Sequence, residues 1–345
     1  MHCQLLVSDL FWPDRDFSEI YRELGTPAME QLLGKGRRRH TDAESVEAWL
    51  CEQFGVERQQ DWPVAPYCLL ADGGEPGAHQ WLRADPVHLR LEGGRLVLAD
   101  SGAFSISQQE AESLSDSLNA HFSADGLTFY PLRPDRWYLR LEAAPALETT
   151  PLPQAAGRSI DALLPRGADS ACWRTRLNDI QMLLHGHAVN EERESAGKLP
   201  VNSVWPWGGG RLHEGVSAPF NTLWSHDPFA AGLAQAARVA ARNLPEGAAE
   251  MLRASASEGV ALILLDQLRG AAQYGDAHGW RESLARLEHD WFAPLLDALR
   301  QQRIGMLSLH ALGPEGVLSS EVTRGDLRHF WRRVKPLAAY VNRLS

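Results

Sequence analysis

Residues 187–210 read HAVNEERESAGKLPVNSVWPWGGG. A polar, turn-prone run leads to Asn202; two tryptophans then flank a proline, and three glycines follow. Two readings compete for this stretch. Arg193 offers a planar fork of donors and Lys198 a point charge, both suited to a phosphate or carboxylate, and glycines let backbone N–H groups approach an anion. Alternatively, a charged turn rests on a bulky tryptophan anchor. Spacing alone leaves both open.

The sequence on either side has a legible rhythm. The segment CQLLVSDLFWP (3–13) reads as a short buried strand ending at Asp9, and GVALILLDQL (259–268) as another, interrupted by Asp266. Helical periodicity marks DAESVEAWLCEQFGV and WRESLARLEHDWFAPLLDALRQQ. Thr26 before Pro27 predicts a helix start, with proline in the first helical position. Between these ends the texture changes. VHLRLEGGRLVLAD is two alternating runs around Gly93-Gly94, which predicts a hairpin. Ser107 followed by Glu110 predicts a capping box. Alternating strands and helices at both ends with a hairpin-rich middle imply an α/β core, residues 1–63 and 200–345, interrupted by an inserted α+β domain at 64–199.

Composition excludes several classes. The net charge of -10 argues against a general nucleic-acid binder, although two basic clusters stand out, GKGRRRH (34–40) and RHFWRRVK (328–335). No apolar run approaches the ~20 residues of a membrane span, so no membrane partner is expected. The N-terminus lacks the basic region of a signal peptide. Cys3, Cys51, Cys68 and Cys172 are scattered without a CxxC pair, which fits free thiols in a cytoplasmic protein and argues against a structural zinc site.

Single residues carry less. Asp9 ends a strand, where carboxylates of α/β folds meet metals or substrates. His185 and His187 lie two apart and would diverge on a helix. His310 is expected at a strand end, and Ser45 near a helix start.

The order of motifs resembles the archaeal-type cofactor-independent phosphoglycerate mutases of the alkaline phosphatase superfamily. In the opening stretch Asn190, Arg193, Gly197, Lys198, Asn202, Trp205, Trp207, Gly208 and Gly210 fall in step with that family's pattern. LGTPAMEQLLGKG, LADSGAFSISQQEA, FYPLRPDRWYLRL, LETTPLP and YGDAHGWRESL follow in the family's order. A narrower resemblance is to a proteobacterial group of Rpf-type regulatory proteins. The resemblance implies an alkaline-phosphatase-like core with an inserted α+β domain. It also implies a chemistry of two divalent metals, usually manganese, and a serine that takes the phosphoryl group.

The ligands of that chemistry are only partly kept. Asp9 matches the family's first aspartate, and Ser45 can be laid on the nucleophilic serine, with Glu44 where the family has glycine. Anchored on Gly275 and Asp276, the metal loop has Arg269 where the family has aspartate and Gln273 where it has histidine. His310 survives beside Leu309, which replaces an aspartate, and Leu152-Pro153 stand where a histidine is expected. Asp9 and His310 are thus the metal ligands only if a manganese or zinc site is retained, and the expectation is that the chain carries no cofactor. Basic and amide positions of the family's motifs are better kept. Arg83, Arg136, Asn190, Arg193, Lys198 and Asn202, with Arg269 standing in for metal charge, form the expected ligand-binding set.

Three functions follow as expectations. The first is a non-catalytic, regulatory relative that binds a small phosphorylated or carboxylated metabolite. The second is an active mutase or phosphohydrolase with a rearranged site, using Ser45 and Asp9. The third is an interaction protein with a vestigial pocket and a protein partner at its aromatic tail.

Overall fold

In the computed structural model, all residues are described except 15, 256–258, 314–315 and 342–345. The chain divides into two units, Met1–Gly55 with Val216–Ser345, and Val56–Gly215. The sequence placed the boundaries at 63/64 and 199/200. They shift because residues 56–63 and 200–215 pack together. Gln59 exchanges hydrogen bonds with the Arg211 backbone (2.9 and 3.0 Å), and a Cβ added at Gly210 would stand 2.5 Å from Pro63.

The first unit is built on a seven-stranded sheet. Its strands are β1 (His2–Ser8), β2 (Arg37–Thr41), β8 (Thr222–Trp224), β9 (Ala240–Arg242), β10 (Val260–Leu265), β11 (Met306–Gly313) and β12 (Gly316–Thr323), in the order β2-β12-β11-β1-β10-β8-β9. The run from β11 to β9 is parallel, and β12 and β2 close one side antiparallel. β1 is central, and period-2 alternation sorts its side chains. Cys3, Leu5 and Val7 face one core with Leu307, Leu309, Ile263 and Leu265. Helices Ala277–Leu287 and Ala293–Arg300 supply the layer over that face. They are the long helix expected from the sequence, with a π-helical turn at Glu288–Phe292 between them.

That turn has a structural use. Thr26 is the N-cap of helix Pro27–Lys35, as predicted, but its side chain makes no capping bond. The Glu288 carboxylate accepts from the amides of Ala28 (2.6 Å) and Met29 (3.1 Å) instead. The orphan donors of one helix are met by a side chain from the π-turn of another.

The second unit holds β3 (Gln80–Glu92), β4 (Arg95–Ala99), β5 (Leu127–Arg133), β6 (Arg136–Leu141) and β7 (Ser203–Gly210). Four run β4-β3-β6-β5, and β7 pairs with β3. The predicted hairpin is β3–β4, with Gly93 and Gly94 at φ 57° and 81°. Both lie in the left-handed region that a two-residue hairpin loop requires. The predicted capping box at Ser107 and Glu110 opens helix Gln108–Phe122.

One buried carboxylate ties this unit together. Asp61 accepts from the amide (3.0 Å) and hydroxyl of Thr149, and that hydroxyl accepts from the Gly208 amide (3.1 Å). Burial pushes Asp61 up to about 6, against the Thr149 hydrogen bonds and the charge of Arg58. A folded pKa above the unfolded one gives stability that is full below the unfolded value and lost as pH rises through the folded one. Urea midpoints measured from pH 4 to pH 7 are therefore expected to fall through about pH 6. In Asp61→Asn that portion of the slope should vanish; an unchanged slope would remove Asp61 as its source.

Candidate active site

The parallel strands of the first unit end on one edge of the sheet, where open α/β folds bind their ligands. Asp9 follows β1, Asp266 follows β10, and Asp227 lies three residues past β8 as the N-cap of helix Pro228–Ala236. Glu47 lies in the first turn of helix Val46–Gln53, which Ser45 caps by accepting from the Ala48 amide (3.1 Å). Arg269 opens helix Arg269–Gln273 just beyond β10. Asp9 itself has φ 54°, an uncommon conformation that aspartate tolerates better than most residues. Its carbonyl accepts from Trp280 Nε1 (2.9 Å).

These groups form one electrostatic cluster around Arg269. Burial alone would weaken its charge, but Glu47, Asp227, Asp9 and Asp266, in that order of influence, raise the guanidinium above its ordinary pKa. The carboxylates respond unequally. Burial pushes the Asp9 carboxyl up, Arg269 pulls it down, and Glu47 adds to the rise. Burial also raises Asp266, again against Arg269 and with Asp227 adding to the rise. Both aspartates are thus biased toward holding a proton. The cluster brings together Asp9 and Arg269 from the sequence-predicted set. It adds Glu47, Asp227 and Asp266, which the sequence reading had not placed in a site. The one available signal was position: Asp266 and Asp227 follow strands, and Glu47 follows Ser45.

His310 stands elsewhere. It is the fifth residue of β11, not its end, and its register partner is Leu6, not Asp9. Its Nδ1 lies 2.8 Å from Ser319 Oγ and its ring 5.1 Å from that of Trp49. Burial drives its pKa down to about 4, with the charge of His2 adding to the drop, and among the described residues Nε2 is buried without a hydrogen-bond partner. A pairing of Asp9 and His310 around one metal is therefore not what this strand register offers.

The fit to a two-metal centre can be judged from the donors. Where the resemblance expects an aspartate, the chain places a permanent cation among the remaining carboxylates, and a divalent ion there would meet its repulsion. Among the described residues no group of three or more His, Cys, Asp or Glu side chains could hold a metal ion. These donors do not fit a dinuclear centre.

In the second unit the expected ligand-binding residues are already engaged. Arg83 donates to Asp85 Oδ1 from Nε (3.0 Å) and Nη2 (2.7 Å) and lies over the rings of Trp207 and Tyr138. Arg136 forms a two-pronged pair with Asp72 (2.8 and 2.9 Å). Asn190 donates to the carbonyls of Leu184 and Val201 and accepts from the Val201 amide. Arg193 is 2 % exposed and donates to Leu199 O, Glu110 Oε1 and Ser105 O. Asn202 pairs through both side-chain atoms with the backbone of Leu89. Only Lys198 leaves its side chain in solvent. The stretch 187–210 thus closes the second unit on itself. Asn190, Arg193 and Asn202 satisfy backbone groups and Glu110, which is the packing reading of this stretch.

Searches against known proteins bear on ancestry. No family model matches the chain. It is 35 % identical over 116 residues to the 2,3-bisphosphoglycerate-independent phosphoglycerate mutase of Methanosarcina mazei, covering 33 % of this chain and 29 % of that protein. The Methanosarcina barkeri enzyme of the same name is 34 % identical over 136 residues, 39 % of this chain and 33 % of its own length. The matched segments thus span about a third of the length of these curated relatives. Among solved structures, the cofactor-independent phosphoglycerate mutase of Thermoplasma acidophilum superposes with TM-score 0.51 at 16 % identity, covering 98 % of this chain and 94 % of that one. The PH0037 protein of Pyrococcus horikoshii gives 0.54 at 13 % identity, over 93 % and 87 %. The chain thus resembles cofactor-independent phosphoglycerate mutases in sequence over about a third of its length and shares their fold. Both superpositions extend over nearly the whole chain, so its α/β fold, built on the seven-stranded sheet, is the one these structures share. Likeness of fold does not carry chemistry with it; chemistry has to be argued from the site. Among the described residues no helix of the chain is long and apolar enough to cross a membrane.

Proposed function

We propose that this chain is a non-catalytic member of the mutase family, a cytoplasmic regulatory protein that binds a small phosphorylated or carboxylated metabolite at the Arg269 cluster. The observation that carries this reading is the position of Arg269 among Asp9, Glu47, Asp227 and Asp266. A metal would polarise a phosphoryl oxygen and activate a hydroxyl by ligation. An arginine supplies charge and five donors but neither ligates nor exchanges a proton. It can hold an anion and cannot replace the metals in activating Ser45. Asp9 and Asp266, biased toward protonation, can donate hydrogen bonds to the same anion once neutral.

The sign of the pH effect follows. An anion beside two carboxyls raises their pKa further, so binding takes up protons and strengthens as pH falls. Thermal unfolding with 3-phosphoglycerate is expected to show stabilisation, larger at acidic than at alkaline pH, lost in Arg269→Met, and without conversion to 2-phosphoglycerate. Turnover that disappears in Ser45→Ala and Asp9→Ala, or two tightly held manganese or zinc ions per chain, would overturn the reading.

A further inference from the structure

The two basic clusters of the sequence, some 290 residues apart, meet in the folded first unit. Lys35 Nζ donates to the His329 carbonyl (2.9 Å), Arg332 Nη1 donates back to the Lys35 carbonyl, and Arg38 lies 5.7 Å over the Tyr340 ring. A Cβ added at Gly34 would stand 2.9 Å from the Val334 backbone. The result is one surface made of strand β2 and the segment 328–335.

Three of its properties go together. First, β2 is the edge strand of the sheet, and all five of its residues, Arg37 to Thr41, are exposed. One backbone edge pairs with β12; among the described residues no backbone bond is made from the other. Second, Arg37, Arg38, Arg39, Arg328 and Arg333 are exposed on a chain whose net charge is -10. Nearby acids offset one of the five. Glu321 faces Arg37 across the ladder, whereas Asp326 is buried and held by Thr323 and Arg332, and Asp42 lies 3.7 Å from His40. Third, Phe330 and Trp331 are 86 % and 63 % exposed and lie edge to face, 5.1 Å apart.

A charged edge protects a sheet from pairing with its own kind. That accounts for the arginines and leaves two large exposed aromatics beside them without a use. Pairing of β2 with β2 of a second copy would set arginine against arginine, which is destabilising. An acidic strand would gain both the free backbone edge and the charge, with an apolar side chain on Phe330 and Trp331. We propose that this surface docks an extended, acidic segment of a partner protein by adding it as a strand to β2. The backbone edge favours a polypeptide over a nucleic acid or a lipid surface, neither of which can continue a β-ladder.

The test uses the full chain and a panel of fluorescent acidic decamers in which Glu or Asp alternates with Val, Ile or Phe. Binding is read by anisotropy. At least one decamer is expected to bind, to lose ten-fold or more when its acids become Lys, and to lose a similar factor when alternate backbone amides are N-methylated. R37E/R39E should weaken it ten-fold or more and F330A/W331A several-fold, with unchanged melting curves showing that both variants fold. A panel without any binder overturns the proposal. So does equal binding of the N-methylated peptide, or binding of a dT20 oligonucleotide or phosphatidylserine vesicles in its place. A dimer in light scattering that R37E/R39E dissolves would assign the surface to a second copy and overturn it as well. No residue of this surface belongs to the Arg269 cluster, so either test can fail alone.

Discussion

Arg83→Ala is expected to be the most damaging single change to the second unit, at about 3–5 kcal/mol, the range for breaking a buried ion pair from one side. The loss comes less from the missing attraction than from what stays behind. Asp85 is 1 % exposed. Besides Arg83 it accepts from Trp207 Nε1 (2.7 Å) and the Trp137 amide (3.3 Å). Burial already pushes its carboxyl up against the pull of Arg83, and without the guanidinium it would stay charged at high cost or take a proton. The unfolding temperature should fall by roughly 6–20 °C. The double variant Arg83→Met with Asp85→Leu should recover part of the loss, because it removes the stranded charge but leaves Trp207 Nε1 and the Trp137 amide without their acceptor. Denaturant titrations of the three variants close the cycle. If Arg83→Ala left stability unchanged and only weakened ligand binding, the structural role given to Arg83 would be wrong.

Arg269→Leu should produce the other large effect, of a different kind. Four carboxylates would lose their shared counter-charge. At neutral pH we expect a loss on the order of 2 kcal/mol, between the values for exposed and for buried pairs. One recovery should follow. Acidification relieves the repulsion, since burial biases Asp9 and Asp266 toward taking protons. Melting curves at acidic and neutral pH read it. A variant indifferent to pH would show that Arg269 is not the charge that holds the four acids.

These two arginines show where a sequence can be read and where it cannot. The Gly93-Gly94 hairpin and the Ser107–Glu110 box were legible because turn chemistry and capping are local. The buried strand near Val260 was legible from its unbroken apolar run. Arg83 and Asp85 sit two apart on β3 and so share a face. That signal was present and outweighed by the match of Arg83 to a family motif. Arg193 carries a similar ambiguity. A fork of donors suits buried carbonyls and Glu110 as well as it suits a phosphate. Asp227 and Asp266 could not be assigned from the chain alone, because only the parallel order of β1, β10 and β8 brings the residues after these strands to one edge, and Glu47 is carried by helix Val46–Gln53. Thr26 marked a helix start correctly, yet the donors it should have met are served by Glu288, which no local pattern could announce.

The central position of β1 also sets a timetable. β1 leaves the ribosome well before its two neighbours, β10 and β11, which are made about 250 to 300 residues later. At roughly 5–20 residues per second, Leu5, Leu6 and Val7 wait on the order of tens of seconds for a partner. The second unit is contiguous in the chain and can fold during that interval. The first unit can be completed only once β10 and β11 have been made. Ribosome-bound chains stopped before β10 should therefore hold a protease-resistant second unit and a cleavable N-terminal segment.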